Sequence, residues 1–136
     1  MAELTPTDRE LEILKVLWQN GEASVYQVAQ VINESGSDLA YTSVLSLLQI
    51  MERKGLVDHR RTGKAYAYFP KVEREPTFRR LASGFLDKVF DGAVDQYLVH
   101  ALESRLLSDG EFERLEALLL ETRKQAERHR KKGRRT

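Results

Sequence analysis

The first 55 residues carry three runs in which hydrophobic side chains return every three or four positions, the spacing that places them on one face of a helix. In the first run Leu11, Leu14, Leu17 and Trp18 repeat until Asn20-Gly21 stops them. Thr5-Pro6-Thr7-Asp8 predicts its start, with Thr5 as N-cap, Pro6 as the first helical residue and Asp8 reaching back to the cap. The second run opens on Ser24 with Gln27 three residues later, a capping box. It leads Val25, Val28, Ala29 and Ile32 along one face before a Ser- and Gly-rich loop over 33–38. The third begins near Ala40 to Thr42, turns Val44, Leu47, Leu48 and Met51 inward, and ends at Lys54-Gly55, where basic residues suit the negative end of the helix dipole.

At Val57 the period changes. Val57 to Thr62 and Ala65 to Phe69 are short segments rich in β-branched and aromatic residues on either side of Gly63-Lys64, which predicts a hairpin. Three short helices followed by a hairpin with a basic tip is the element order of a winged helix-turn-helix. Beyond Pro70 the helical period returns and persists. Phe78, Leu81, Ala82, Phe85, Leu86 and Val89 mark a fourth helix ending at Asp91-Gly92, and Val94, Leu98, Ala101 and Leu102 mark a fifth. Ser108 with Glu111 caps a sixth, which carries Phe112, Leu115, Leu118 and Leu119. A segment this short has no second layer in which to bury such stripes, so they are expected to pack against a second copy of the chain as a homodimer. The expected architecture is mainly α: a winged helix-turn-helix (three helices plus a β-hairpin) over 1–71, a C-terminal helical dimerisation segment over 72–122, and a basic tail over 123–136 that frays into solvent.

Composition removes several functions. With no cysteine among 136 residues there is no disulfide, thiolate ligand, thiol nucleophile or thiol redox sensor. No apolar run approaches the ~20 residues of a membrane span. The N-terminus also lacks the basic and apolar regions of a signal peptide, so a cytoplasmic location without membrane insertion is expected. The net charge of +1 hides an asymmetry: residues 1–39 carry −5, 40–70 carry +3, 71–122 carry −4 and 123–136 carry +7. Cations gathered in one internal stretch and in the tail suit a chain that meets polyanions at defined places.

An enzyme is not expected. His59, His100 and His129 fall in a predicted strand, a helix and the basic tail, and no phosphate loop, paired metal-ligand histidines or strained serine turn is present. No metal and no cofactor is therefore expected. The third helix, by contrast, leaves Tyr41, Thr42, Ser43, Leu45, Ser46 and Gln49 outside its core stripe. Small hydroxyls and an amide there can reach base edges in a major groove, above all Thr42 and Ser43 at the N-terminal end. Arg53 and Lys54 close that helix, and Arg60, Arg61 and Lys64 surround the hairpin turn; together they form a candidate phosphate footprint. The candidate DNA-binding residues are thus Tyr41, Thr42, Ser43, Ser46, Gln49, Arg53, Lys54, Arg60, Arg61 and Lys64. The candidate dimerisation residues are Phe78, Leu81, Phe85, Leu86, Val89, Val94, Leu98, Leu102, Phe112, Leu115, Leu118 and Leu119.

The chain resembles the penicillinase-repressor family, the BlaI/MecI/CopY group. The matching residues are Leu4-Thr5 with Glu10 and Glu12 ahead of Leu17-Trp18; Ala40-Tyr41-Thr42-Ser43-Val44; Lys54-Gly55; Gly63-Lys64-Ala65-Tyr66 with Tyr68 and Pro70; Phe90-Asp91-Gly92; and Leu107-Ser108 with Glu111. The resemblance implies a dimeric winged-helix repressor of dyad-symmetric operator DNA, paired through its C-terminal helices. It also implies, for the antibiotic-resistance branch, a membrane sensor protease that triggers cleavage within those helices. Three departures stand out: Ile50 replaces an arginine of the recognition helix, the cysteines of the copper-responsive branch are absent, and His100-Ala101 occupies the place of the Asn-Phe cleavage bond. The competing function is a winged-helix protein-interaction module with a helical assembly scaffold, which has no need of cations around a hydroxyl-rich helix face.

Overall fold

The computed structural model describes residues 5–134; Leu4 of the family motif and the last two residues, Arg135 and Thr136, lie outside the described residues. The elements follow the order α1 (Asp8–Asn20), β1 (Ala23–Ser24), α2 (Val25–Glu34), α3 (Tyr41–Lys54), β2 (Val57–Thr62), β3 (Ala65–Pro70), α4 (Arg74–Phe90), α5 (Val94–Ser104) and α6 (Asp109–Arg134). This is the expected winged helix followed by helices alone. It divides into two compact units, one ending at Lys88 and the other beginning at Val89.

In the first unit the three helices meet over one core. Ile13, Leu14 and Leu17 of α1, Val28 and Ile32 of α2, and Val44, Leu48 and Met51 of α3 are buried together with Leu56, just before β2, and Val57 and Tyr68 of the hairpin. Each such large side chain contributes roughly 1.5–3 kcal/mol by leaving water. The start of α1 differs from the expected one. Thr7, not Thr5, is the N-cap: its hydroxyl accepts from the Glu10 amide, and the Glu10 carboxylate accepts from the Thr7 amide at 2.8 Å. A glutamate three residues after the cap can close that reciprocal box, and Thr7 is the hydroxyl that has one at that distance. At the second helix the expected box of Ser24 and Gln27 is present. Asn33 and Glu34, expected in the loop, belong to α2. The Asn33 side chain donates to the Leu39 carbonyl at 2.9 Å and accepts from its amide at 2.8 Å, which folds the connection back toward α3.

β2 and β3 form the hairpin with His59 opposite Tyr68 and Arg61 opposite Tyr66. Gly63 supplies the positive φ (64°) of its two-residue turn, a conformation that side-chain-bearing residues resist. β1 adds an edge to β3, giving a three-stranded antiparallel sheet in the order β1-β3-β2. The sequence carries no separate signal for this strand, because its two residues lead directly into α2 and one of them is the cap.

The packing of the first unit continues past the expected boundary at residue 71. The Trp18 indole donates to the Val72 carbonyl at 2.9 Å and meets the Phe78 ring edge-on at a centroid distance of 5.7 Å. Thr77 is buried, and its hydroxyl donates to the Glu73 carbonyl. The first turns of α4 therefore belong to the winged-helix unit.

In the second unit, Asp91 and Gly92 both take positive φ at the turn after α4, and the Phe90 ring lies against Tyr97 and His100 of α5. The expected box of Ser108 and Glu111 opens α6. The basic segment expected to fray is instead the last three turns of α6, which runs to Arg134. Lys, Arg, Gln, Glu and Ala are strong helix formers, and an Arg123–Glu127 pair at i,i+4 adds to them. No helix among the described residues is long and apolar enough to cross a membrane.

Candidate nucleic-acid interface

The outward face of α3 is built by elimination. Val44, Leu48 and Met51 hold one side in the core, which leaves Tyr41, Thr42, Ser43, Ser46, Gln49, Ile50 and Arg53 outside it. No side chain caps the start of α3, since Ala40 occupies the cap position, so first-turn amides of Tyr41 and Thr42 stand beside three exposed polar side chains. At the other end Gly55 adopts the left-handed conformation, and Leu56 donates to the Met51 carbonyl, which ends the helix and turns the chain into β2.

A cleft of about 660 Å³ separates this helix from the hairpin, lined by Tyr41, Gln49, Glu52, His59, Tyr66 and Tyr68 among others. His59 spans it. Its Nδ1 bonds the Glu52 carboxylate of α3, and its ring lies against Tyr66 and Tyr68 of β3. Burial, and then the negative charge of Glu52, push the Tyr68 hydroxyl above its ordinary pKa, so Tyr68 is a neutral packing group. Glu52, Asp58 and His59 bring an imidazole and two carboxylates within 4.8 Å of one another. Sequence spacing hides this grouping, because Glu52 arrives from another element.

The five candidate phosphate cations divide into two groups. Lys54 does not project freely: its Nζ donates to both oxygens of the Glu10 carboxylate, at 2.8 and 3.0 Å. Glu10 is 2% exposed. Burial alone would raise its pKa, but the bonds from Lys54 and Thr7 outweigh it and hold the carboxyl below the ordinary value. Lys54 thus fastens the last turn of α3 to the first turn of α1. Arg60 forms a two-pronged pair with Glu22, which ties β2 to the turn after α1. That guanidinium keeps the exposed Glu22 carboxyl below its ordinary pKa. Arg53, Arg61 and Lys64 form no ion pair among the described residues, and Arg61 donates only to the Gly63 carbonyl.

The candidate dimerisation residues are likewise unequal. Phe78 is half-buried against Trp18 of its own chain, with Arg74 over its ring, and Leu81 and Leu86 are also partly covered. Phe85, Val89, Val94, Leu98, Leu102, Phe112, Leu115, Leu118 and Leu119 are exposed, and the structure adds Val99, Leu106 and Leu120 to them. No residue of α5 is buried. The bond between His100 and Ala101 lies inside α5.

The chain matches the family model described as "Penicillinase repressor" over residues 6–121. It is 25% identical over 115 residues to the "Penicillinase repressor" of Bacillus licheniformis, covering 85% of this chain and 89% of that protein. It is 31% identical over 105 residues to the "Transcriptional regulator BlaI" of Mycobacterium tuberculosis, covering 76% of each. The solution structure of the DNA-binding domain of the repressor BlaI aligns with a TM-score of 0.47 and 21% identity, over 52% of this chain and 85% of that one.

Proposed function

Because the chain belongs to the penicillinase-repressor family, we propose that it is a cytoplasmic transcription repressor that binds dyad-symmetric operator DNA as a homodimer. One observation carries the reading: α3 presents Thr42, Ser43, Ser46 and Gln49 outward, while Arg53, Arg61 and Lys64 flank that face with their charges unspent on carboxylates. The hydroxyls and the amide read base edges, and the three cations hold phosphates. Lys54 and Arg60 act one step back. By pinning α3 to α1 and β2 to the α1–α2 turn, they fix the angle at which helix and wing meet the duplex. Exposed apolar side chains on α5 and α6 pair the protomers, so that two recognition helices engage two half-sites.

The test is to incubate the purified protein with fragments of its own genome, sequence what it retains, and measure binding of the recovered duplex. Arg61→Ala and Lys64→Ala are expected to weaken operator and unrelated duplex alike, with a shallower salt dependence. Thr42→Ala, Ser43→Ala and Ser46→Ala are expected to lose about 1–3 kcal/mol at particular base pairs. Retention of no preferred sequence would overturn the reading.

A further inference from the structure

The apolar stripe of α6 stops at Leu120, the family match stops at residue 121, and the helix itself continues to Arg134. Beyond Thr122 the helix changes in chemistry. Between Arg123 and Gly133 the one apolar side chain is Ala126, and the cations are Arg123, Lys124, Arg128, Arg130, Lys131 and Lys132. Arg123 is paired with Glu127 at 3.5 Å and Arg128 with Glu121 at 3.8 Å. Lys124, Arg130, Lys131 and Lys132 are exposed and unpaired among the described residues. At 100° per residue the six cations lie within an arc of roughly 200°, and the rest of the circumference carries Gln125, Ala126, His129 and Gly133, so the segment has no large apolar side chain with which to form a dimer seam.

We propose that the last three turns of α6 are a second DNA-contacting element, holding the phosphate backbone of duplex DNA without reading its sequence. The proposal rests on the operator-binding function above, which brings duplex to the same molecule. Lys124 to Lys132 spans roughly 12 Å of helix, and a duplex presents one negative charge per about 1.7 Å of its axis, so several phosphates fall within reach of this rod. The face away from the cations holds Gln125, Ala126, His129 and Gly133 and no large apolar side chain, whereas a helix that lies in a bilayer surface needs an apolar face. The ordered helix also keeps the cations apart at fixed spacing, so binding incurs less ordering cost than a frayed tail would.

The test uses the full chain with Lys124, Arg130, Lys131 and Lys132 all changed to Gln, which retains helix propensity and removes charge. A second variant, Arg130→Lys with Lys131→Arg and Lys132→Arg, keeps the charge. Both are compared with the original for helicity, dimer mass and affinity for the recovered operator and an unrelated duplex, from about 50 to 300 mM salt. The Gln variant is expected to lose about 10- to 100-fold affinity on both duplexes equally, with a salt slope lower by roughly 2 to 4, while the charge-retaining variant matches the original. An unchanged affinity and slope in the Gln variant, with the operator still bound, would overturn this proposal and leave the repressor reading standing. So would a changed ratio of operator to unrelated binding, which would mean base contacts. Binding to phosphatidylglycerol vesicles that the Gln variant loses, with duplex binding unaltered, would assign the segment to membranes instead. Failure of every form to bind any duplex at the lowest salt would overturn both readings.

Discussion

The two units of this chain use hydrophobic residues in opposite ways. Up to Lys88, α1, α2, α3 and the hairpin converge on shared buried side chains, with Leu14, Leu17, Leu48 and Met51 fully excluded from water. From Val89 onward the helices are equally regular, yet Leu118 and Leu119 remain 62% and 67% exposed. Helical periodicity is therefore evidence of a face that needs covering and is silent on what covers it. In the first unit the cover is the chain itself. In the second it is, on the proposed function, another copy.

Matched truncations break or support that contrast most sharply. Leu48→Ala is expected to cost about 2–5 kcal/mol of unfolding free energy, read as a shift of the urea midpoint, because it leaves a cavity among side chains that cannot all relax. Leu118→Ala should leave that midpoint near its original value at high protein concentration and instead raise the dimer dissociation constant, measured by sedimentation. Equal and concentration-independent effects would mean that α6 is covered within its own chain. A fragment ending at Lys88 is the next largest test. It should fold as a monomer, and operator affinity should fall by about 10²-fold or more as the second half-site ceases to be an intramolecular ligand. A tight-binding monomeric fragment would remove the need for the second unit.

The ion pair between Glu10 and Lys54 gives an intermediate effect. Glu10→Gln leaves Lys54 without its buried partner and is expected to cost about 1–3 kcal/mol. The original protein should show the pH dependence of a carboxyl whose folded pKa is depressed. The contribution is complete above the unfolded value near 4.5 and is lost as pH falls through the lower folded value, so urea midpoints should decline there in the original and less in Glu10→Gln. Because Lys54 ends α3, which on the proposed function reads the operator, the same substitution should lower operator affinity even where the protein is fully folded.

The legibility of the sequence depends on the range of the interactions. Capping boxes at Ser24 and Ser108, the Gly55 terminus and the Gly63 turn depend on neighbours within a few residues, and they can be read directly. Even there two hydroxyls compete: Thr5 and Thr7 lie two residues apart, and the choice turns on whether Asp8 or Glu10 has the reach to close the box. The exposed face of α3 is legible as what remains once the core stripe is removed. Lys54 is not, because its partner lies 44 residues away, and a lysine beside Arg53 looks like one more surface cation. The pairing of β1 with β3 is hidden for the same reason, and the Glu52–His59 contact, though its residues are seven apart, because it crosses from α3 to β2. The tail shows the converse limit: its composition favours helix, yet without an apolar stripe there is no periodic signal to mark it as one.

The smallest expected effect concerns where the first unit ends. Trp18→Phe keeps an aromatic ring against Phe78 but removes the pyrrole part of the indole with the N–H that reaches the Val72 carbonyl, so it weakens the link between α1 and the chain just past β3 through one hydrogen bond and a little packing. A neutral hydrogen bond at a half-buried site contributes about 0.5–1.5 kcal/mol, and the freed carbonyl can recover part of that from water. If the border lies at Lys88, as the packing of Thr77 and Phe78 indicates, the loss should be the same in the full chain and in the fragment ending there. Both proteins can be compared by urea unfolding at one fixed, high protein concentration. A loss confined to the full chain would mean that the bond depends on the second unit, and the start of α4 would then have to be reassigned from the first unit to the second.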